Sequence, residues 1–475
     1  MEECISVFDM LKIGVGPSSS HTLGPWRAAE RFLSELRTEN LLSKTTRVKV
    51  DLYGSLSLTG KGHATDLAIM LGLSGQDPEY IPVQDIAGII KTIEDKNEIH
   101  LGNEILIPFY FLQDVVFNKN FLPFHANGLT FTAFLDNNKE YISTFYSIGG
   151  GFVVKEERVN AMKKHAIKCA FPFPIQNADE LLQYTITQNK TISEIVYENE
   201  KSMRTEADIH HELMRIWHTM LECMYIGCHS EGILPGGLNV RRRAFDMHQG
   251  LIGLANYSTP QEWLEEIRKT EVKFRQILKW VSCFALAVNE VNAALGRVVT
   301  APTNGSAGVI PAVLMYYLVI ENHQAGEKEI KQFLMVAGEI GSIFKKGSTI
   351  SAAMGGCQAE IGVSSAMAAA ALCELMGGDA DQVLMAAEIA MEHHLGMTCD
   401  PIGGLVQIPC IERNTMGAIK AIHAAELALE TDAKNAKVPL DKVIETMWKT
   451  AKDMNSKYKE TSEGGLAIAV NMADC

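Results

Sequence analysis

The spacing of apolar residues changes near residue 155, and this change constrains the fold more than any other feature of the sequence. Before it, Thr46–Tyr53 alternates polar with apolar residues and is rich in β-branched side chains, which predicts a strand. Similar patterns predict strands over Leu129–Leu135 and Tyr141–Ile148, and helical spacing predicts helices over Thr22–Leu36 and Thr59–Leu71. Strands mixed with helices in this way predict an α+β domain over residues 1–155.

Beyond residue 200 the apolar residues recur at three- and four-residue spacing, which is typical of amphipathic helices. The predicted helices span Glu206–Ile226, Glu271–Leu295, Ile310–Ile320, Lys328–Phe344, Ala359–Leu375 and Gln382–Leu395. We therefore predict an all-α domain over residues 201–475. Residues 156–200 follow the break at Gly149-Gly150-Gly151 and are predicted to be a linker, because their composition is polar.

Composition excludes several classes of protein. With 475 residues, 47% of them hydrophobic and 21% charged, the chain has ample material for globular cores and is not disordered. The net charge of −14 disfavours nucleic acid as a partner, and the only dense basic run is Arg241-Arg242-Arg243. The sequence has neither a basic signal-peptide start nor the run of about 18 apolar residues that a membrane span needs. We therefore expect a cytoplasmic protein with no membrane partner, whose ten cysteines stay reduced.

Three of the cysteines have a spacing that indicates one site. Cys357 precedes a predicted helix, and Cys399 follows a returning helix of similar length. Because helices rise about 1.5 Å per residue, two of matched length joined by a tight turn bring these cysteines together. A loop rich in Gly and Pro then lets Cys410 reach the same point. Converging thiolates favour an iron–sulfur cluster over structural zinc, whose closely spaced Cys pairs are missing. Three unrelated core cysteines are the alternative.

Longer motifs resemble those of a known family. The sequences IGVGPSSSHT (residues 13–22) and GSLSLTGKGH (54–63) resemble the β domain of bacterial iron–sulfur L-serine dehydratases. PTNGSAG (302–308), GGCQAE (355–360) and CDP (399–401) resemble the α domain of these enzymes. The match covers nearly the whole chain in one order, as in the single-chain form in which both parts are fused. The resemblance implies a β domain similar to a regulatory α+β fold, and a homodimer.

The resemblance also implies a reaction, the conversion of L-serine to pyruvate and ammonia. In the family three cysteines hold a [4Fe–4S] cluster, and these correspond here to Cys357, Cys399 and Cys410. One iron then stays open as a Lewis acid for the substrate hydroxyl and carboxylate, and a histidine takes the Cα proton. We predict His63 and His125 as candidates for this base, because one follows glycines and the other lies in a loop.

Further residues are predicted to orient the substrate, with helix capping, packing or solvent exposure as the alternative. These residues are Ser18, Ser19, Ser20, His21, Lys61, Asn304 and Ser306. The final residue, Cys475, offers a thiolate and an α-carboxylate, and we hypothesise that it caps the fourth iron until serine displaces it. A frayed terminus is the alternative. Two other functions stay open, namely an iron–sulfur hydro-lyase acting on a hydroxy acid and a non-enzymatic iron–sulfur sensor.

Overall fold

The computed structural model describes residues 3–157 and 171–470, and it confirms an α+β part followed by a mostly helical part. Each part has its own hydrophobic core, and a small third apolar cluster contains Cys357 and Cys399. The strands, numbered along the chain, are β1 (Ile13–Val15), β2 (Thr45–Tyr53), β3 (Glu98–Leu101), β4 (Ile105–Pro108), β5 (Val115–Asn118), β6 (Gly128–Leu135), β7 (Glu140–Ser147), β8 (Val153–Lys155) and β9 (Arg297–Val299).

A five-stranded sheet in the order β5-β2-β6-β7-β8 forms the base of the α+β part. Strand β2 pairs antiparallel with β6, with Val50 opposite Phe131, and parallel with the edge strand β5. From Val48 to Leu52 alternate residues of β2 are buried, as its period-two pattern predicts. The predicted strands correspond to β2, β6 and β7 and are confirmed. Strands β3 and β4 form a separate hairpin.

Helices cover one face of this sheet. Phe32, on the helix Gly24–Thr38, stacks on Phe131 of β6 with ring centroids 5.0 Å apart. The other helices of this part are Ser55–Leu58, Thr65–Leu73, Ile86–Lys96 and Phe111–Asp114, whereas Val7–Met10, before β1, packs in the core of the helical part. The helix predicted over Thr59–Leu71 begins later, at Thr65, because Ala64 has a φ of +54° and cannot continue a right-handed helix. Residues 59–64 therefore form a turn, and His63 lies in that turn.

The second part is a bundle whose central helix, Ile361–Leu375, is buried from residue 361 to residue 374. Its Gly, Ala and Ser residues let the neighbouring helices approach closely. The other helices are Ala178–Gln188, Ile192–Lys201, Glu206–Cys228, Ala244–Ile252, Pro260–Arg268, Phe274–Ala293, Val309–Tyr316, Glu327–Gly347, Ala352–Gly355, Ala380–Glu392, Cys410–Leu429, Leu440–Asp453 and Leu466–Ala469. The six helices predicted for this part are confirmed, with ends that differ by a few residues.

The N-terminal residues belong to the core of the helical part. Met10 and Ile13 are buried there, and β1 pairs antiparallel with β9, with Ile13 opposite Val299. The chain then leaves β1 and enters the α+β part at the serine-rich turn around residue 19. The two parts are thus joined by a strand pair as well as by the chain itself.

The predicted linker is corrected where the structure describes it, over residues 171–200. Two helices, Ala178–Gln188 and Ile192–Lys201, occupy most of this stretch. Leu181, Ile192 and Ile195 are fully buried in the helical core. These apolar residues recur at helical spacing, and burying them stabilises the segment more than leaving it solvated would.

One helical stretch in the described part of the chain, residues 304–321, is long and apolar enough to cross a membrane by length and composition alone. The fold buries 89% of it inside the protein. Its apolar character is therefore that of a core helix, which passes the same test.

Candidate active site

Two helices bring Cys357 and Cys399 together, as their spacing predicts. Cys357 lies in the turn before Ile361–Leu375, and Cys399 lies beyond the end of Ala380–Glu392. The two Sγ atoms and a carboxylate oxygen of Glu360 lie within 4.8 Å of one another, and all three side chains are buried. Two thiols and a carboxylate at this separation are suitable donors for a metal centre.

Hydrogen bonds between the helix ends fix this arrangement. The backbone N–H of Gln358 donates to the carbonyl oxygen of Met397 (3.2 Å). The N–H of Gly396 in turn donates to Oε1 of Gln358 (3.0 Å). The start of one helix is therefore tied to the chain that follows the other, and the two cysteines lie within the segments so joined.

Arg413 supplies a positive charge next to the thiols. It lies one turn beyond Cys410 on the helix that Cys410 begins. Its Nη1 donates to Cys357 Sγ (3.2 Å) and to the Thr398 carbonyl oxygen (2.8 Å), while Nη2 donates to Oδ1 of Asp400 (3.1 Å). Cys410 is buried and close enough for its titration to depend on Cys357, but it is not one of the three groups within 4.8 Å.

The thiols would carry more negative charge, if all were ionised, than Arg413 balances. A hydrogen bond with Cys399 lowers the pKa of Cys357, and Arg413 lowers it further. The same hydrogen bond, together with burial, raises the pKa of Cys399 well above its ordinary value. Burial and the charge of Cys357 likewise raise the pKa of Cys410 and of the Glu360 carboxyl. Of the three thiols, that of Cys357 is therefore the easiest to ionise.

A second cluster of titratable groups comes from both parts of the molecule. His21 lies in the π-helical turn Ser19–Leu23, and His63 lies in the turn of residues 59–64, with ring centroids 4.6 Å apart. Glu460 Oε1 is 3.5 Å from Nδ1 of His21 and 3.5 Å from Nε2 of His63. A buried carboxylate from the helical part thus faces two buried imidazoles from the α+β part.

Glu460 also joins this cluster to the cysteines. Its backbone N–H donates to the carbonyl oxygen of Cys399 (2.9 Å), and its carbonyl oxygen accepts from Oγ of Ser55 (2.7 Å). These bonds hold Glu460 at a φ of +57°, a left-handed conformation that costs a residue with a Cβ about 1–2 kcal/mol. Burial acts to raise the pKa of Glu460, but the positive charges that His21 and His63 carry when protonated, together with a hydrogen bond from protonated His63, outweigh it and the pKa is lowered.

The loops that carry these groups touch through their backbones. A Cβ at Gly62 would lie 2.3 Å from the carbonyl oxygen of Gly404, so only glycine fits at this position. Gly62 precedes His63, and Gly404 lies in the loop between Cys399 and Cys410. The close approach therefore brings the histidine turn against the cysteine loop.

Hydrogen bonds assign different tautomers to the two predicted bases. Nδ1 of His63 lies 2.9 Å from the carbonyl oxygen of Thr59, which only accepts, so Nδ1 carries the hydrogen and Nε2 has a free lone pair. In His125 the arrangement is reversed, because Nδ1 accepts from the N–H of Asn127 (3.1 Å). Burial lowers the pKa of His125 to about 4, so its ring is neutral with the hydrogen on Nε2. The hydrogen bonds thus leave Nε2 with a free lone pair in His63 and with a hydrogen in His125.

His21 is fully engaged as a neutral ring. Ser55 Oγ donates to Glu460, so it accepts from Nε2–H of His21 at 3.0 Å. Nδ1 of His21 is 2.9 Å from Oγ of Ser20, and the backbone N–H of His21 donates to Oγ of Ser18 (3.1 Å). Burial lowers the pKa of His21 to about 4. The hydroxyls of Ser18 and Ser20 therefore hold His21, and Ser19 is buried in the same turn.

Comparison with known proteins identifies the family. The family model described as "Serine dehydratase alpha chain" matches residues 187–467, and that described as "Serine dehydratase beta chain" matches residues 6–158. The chain belongs to the serine dehydratase family. It is 46% identical to L-serine dehydratase of Haemophilus influenzae, covering 98% of this chain and 99% of that protein. It is 47% identical to L-serine dehydratase of Streptomyces coelicolor (99% and 100%) and 45% identical to L-serine dehydratase 1 of Escherichia coli (98% and 99%).

The three remaining predicted site residues of this serine dehydratase family member that the structure describes are Asn304, Ser306 and Lys61. Asn304 Nδ2 donates to the carbonyl oxygen of Val15 (3.1 Å), and Ser306 Oγ contacts Thr303 Oγ1 (3.0 Å). Their turn does reach the cysteine site, because a Cβ at Gly305 would lie 3.1 Å from the Glu360 carboxylate. Lys61 is exposed, with Nζ over the Phe117 ring at 5.5 Å, so the structure does not bring it to the site. The turn buries His63 and directs Lys61 outward.

Cys475 lies outside the described residues. Three residues that the structure brings to the site were missed in the sequence. Glu360 lies one helical turn beyond Cys357 and Arg413 one turn beyond Cys410, so their spacing carried a signal. Glu460 carried none, because its contact with Ser55 joins residues 405 positions apart.

The residues present fit the iron–sulfur cluster that the family resemblance implies. Cys357 and Cys399 supply two buried thiols at metal-donor separation, and Cys410 is a third buried thiol whose pKa is raised by burial and by the charge of Cys357. Oε2 of Glu460 is also buried and has no hydrogen-bond partner among the described residues. Thiolates are the donors that iron–sulfur clusters take, and three of them, one fewer than the usual four, would leave one iron without a protein thiolate.

Proposed function

We propose that this chain is an L-serine ammonia-lyase that holds a [4Fe–4S] cluster through Cys357, Cys399 and Cys410 and uses His63 as its base. The observation that carries the proposal is the placement of Glu460, which ties the histidine turn of the α+β part to Cys399 of the helical part. The relatives compared above are L-serine dehydratases, which supports serine as the substrate. When bound, the cluster would supply a Lewis acid for the substrate oxygens.

His63 is suited to take the Cα proton. Its Nδ1–H is fixed by the Thr59 carbonyl, which orients the ring and leaves Nε2 to accept. A proton taken up at Nε2 then lies 3.5 Å from Oε1 of Glu460, and this carboxylate stabilises the imidazolium. Ser18 and Ser20 act through His21, which they hold beside the same carboxylate. Burial of all these groups excludes water from the proton transfer.

The atoms balance without a co-substrate. Loss of the Cα proton and of the β-hydroxyl as water gives 2-aminoacrylate, which tautomerises to an imine. Hydrolysis of the imine consumes one water, which balances the water lost in the first step, and gives pyruvate and ammonia. The neutral His125, with its hydrogen on Nε2, is a donor in this scheme and not an acceptor.

Anaerobic purification followed by an activity assay tests the proposal. We expect about four irons and four sulfides per chain, and pyruvate from L-serine that disappears when iron is removed and returns on reconstitution. A panel of L-serine, L-threonine and malate-type acids is assayed in parallel. Full activity after iron removal, or turnover of hydroxy acids in preference to serine, would overturn the proposal. A stable cluster without any pyruvate would favour a sensor.

We also propose that the protein acts in the cytoplasm as a homodimer, with a small molecule as its substrate and no nucleic-acid partner. The net charge of −14 supports the exclusion of nucleic acid. Light scattering on the purified protein measures the mass, and a monomer would contradict the proposed assembly.

A further inference from the structure

Serine bound in this site carries an ammonium group as well as a hydroxyl and a carboxylate. The reaction scheme assigns the two oxygen groups to the cluster but gives the ammonium no partner. A buried ammonium without an acceptor is strongly disfavoured, so the site must supply one. Buried carboxylates near the thiols are the candidates, and three of them are on the described residues, namely Glu360, Asp400 and Glu460.

Two of these carboxylates are already engaged. Asp400 accepts from Arg413 through Oδ1 and from the backbone N–H of Leu466 through Oδ2 (2.7 Å). Glu360 lies within the group of metal donors with Cys357 and Cys399. Neither has a free oxygen that faces the histidines.

Glu460 has such an oxygen. Its Oε1 faces His21 and His63, but its Oε2 has no hydrogen-bond partner in residues 3–157 and 171–470, although Glu460 is 97% buried. An ionised oxygen without a donor is costly in a protein interior, and its cost is removed when a ligand supplies the donor. The left-handed backbone conformation of Glu460 adds a second energetic cost, and the surrounding hydrogen bonds hold the residue in that conformation.

We infer that Oε2 of Glu460 accepts the α-ammonium of the substrate and so selects amino acids over hydroxy acids. This inference rests on the proposed function and adds a substrate contact to it. A carboxylate at this place attracts the ammonium of serine, whereas a malate-type acid has no cationic group there to pair with it. Pairing also keeps the amine protonated, and a protonated amine withdraws electron density from Cα while His63 removes its proton.

Inhibition by two unreactive ligands tests the inference. L-alanine and propanoate differ in the α-ammonium, and neither has a hydroxyl to eliminate. In the holoenzyme, Glu460→Gln is expected to raise the inhibition constant of L-alanine about 10- to 30-fold and to leave that of propanoate unchanged or lower. The kcat for serine is expected to fall as well, because Oε1 faces His63, so the decisive quantity is the ratio of the two inhibition constants. Glu463→Gln, three residues further along and exposed, is the matched control and should leave both constants unchanged.

Equal changes for both ligands, or an unchanged constant for L-alanine, would overturn the inference. If the Gln variant does not retain iron, the same ratio is measured on Glu460→Asp, which keeps the charge but retracts it by one methylene. In that variant the inhibition constant of L-alanine is expected to rise and that of propanoate to stay unchanged. An equal rise of both constants would contradict the inference. Failure of the proposed function is seen separately, as wild-type holoenzyme that gives no pyruvate from serine.

Discussion

The cysteine side of the site and the histidine side are held by different kinds of contact. Cys357 and Cys410 lie at the starts of helices, and Cys399 is tied in by hydrogen bonds between helix ends. His21 and His63 lie in turns instead, and their orientation depends on hydroxyl and carbonyl groups nearby and on a carboxylate from the other part. Regular secondary structure therefore places the proposed metal donors, whereas contacts between the two parts complete the proposed proton-transfer group.

Removing a donor on the cysteine side is expected to have the largest effect. Cys399→Ala should abolish iron retention and reduce serine turnover by about 1,000-fold or more, since the Lewis acid is lost. Cys373→Ala is the matched control, because Cys373 lies on the helix that follows Cys357, is equally buried and faces the core. Iron analysis and pyruvate formation are measured on both. Retention of the cluster in Cys399→Ala would contradict the assignment of Cys399 as a metal donor.

Changes on the histidine side should leave the iron in place and affect kcat. His63→Asn keeps a donor for the Thr59 carbonyl but lacks Nε2, and we expect kcat to fall about 1,000-fold. His125→Asn keeps an acceptor for the Asn127 N–H, and we expect a fall of about 10-fold. Lys61→Met, on the same turn but exposed, should change kcat less than about 2-fold. A larger loss in His125→Asn than in His63→Asn would reverse the assignment of the base.

The smallest effect concerns stability in acid. The folded-state pKa of His125 is about 4, below its ordinary value of 6.5, so the unfolded chain binds its proton first. Folding stability is therefore complete above pH 6.5 and falls as the pH drops from 6.5 towards 4. Between pH 7.5 and 5.0 the wild type should lose about 2 kcal/mol more unfolding free energy than His125→Asn. Denaturant unfolding at the two pH values measures this, and equal losses would contradict it.

The same contrast explains how much the sequence predicts. The meeting of Cys357 and Cys399 follows from helix length alone, since apolar periodicity and glycine ends mark both helices. The start of the helix after His63 was predicted too early, because the left-handed conformation of Ala64 is imposed by the surroundings and not by its residue type. Lys61 was placed in the site because a sequence does not show to which side of a turn a side chain points.

Long-range contacts account for the rest. Glu460 had no local pattern to mark it, since its partners lie in turns near residues 21, 55 and 63. The prediction of a linker was wrong over residues 171–200 for a similar reason. Its helices are short and flanked by polar residues, and only the core that they contact shows which of their residues are buried.

The pairing of β1 with β9 and the position of Glu460 have a consequence for biosynthesis. Strand β1 emerges from the ribosome early but finds its partner only after about 280 further residues have been made. Glu460 emerges later still. A nascent chain thus has both histidines about 400 residues before it has the carboxylate that faces them, so the proposed site cannot be complete until Glu460 has been made.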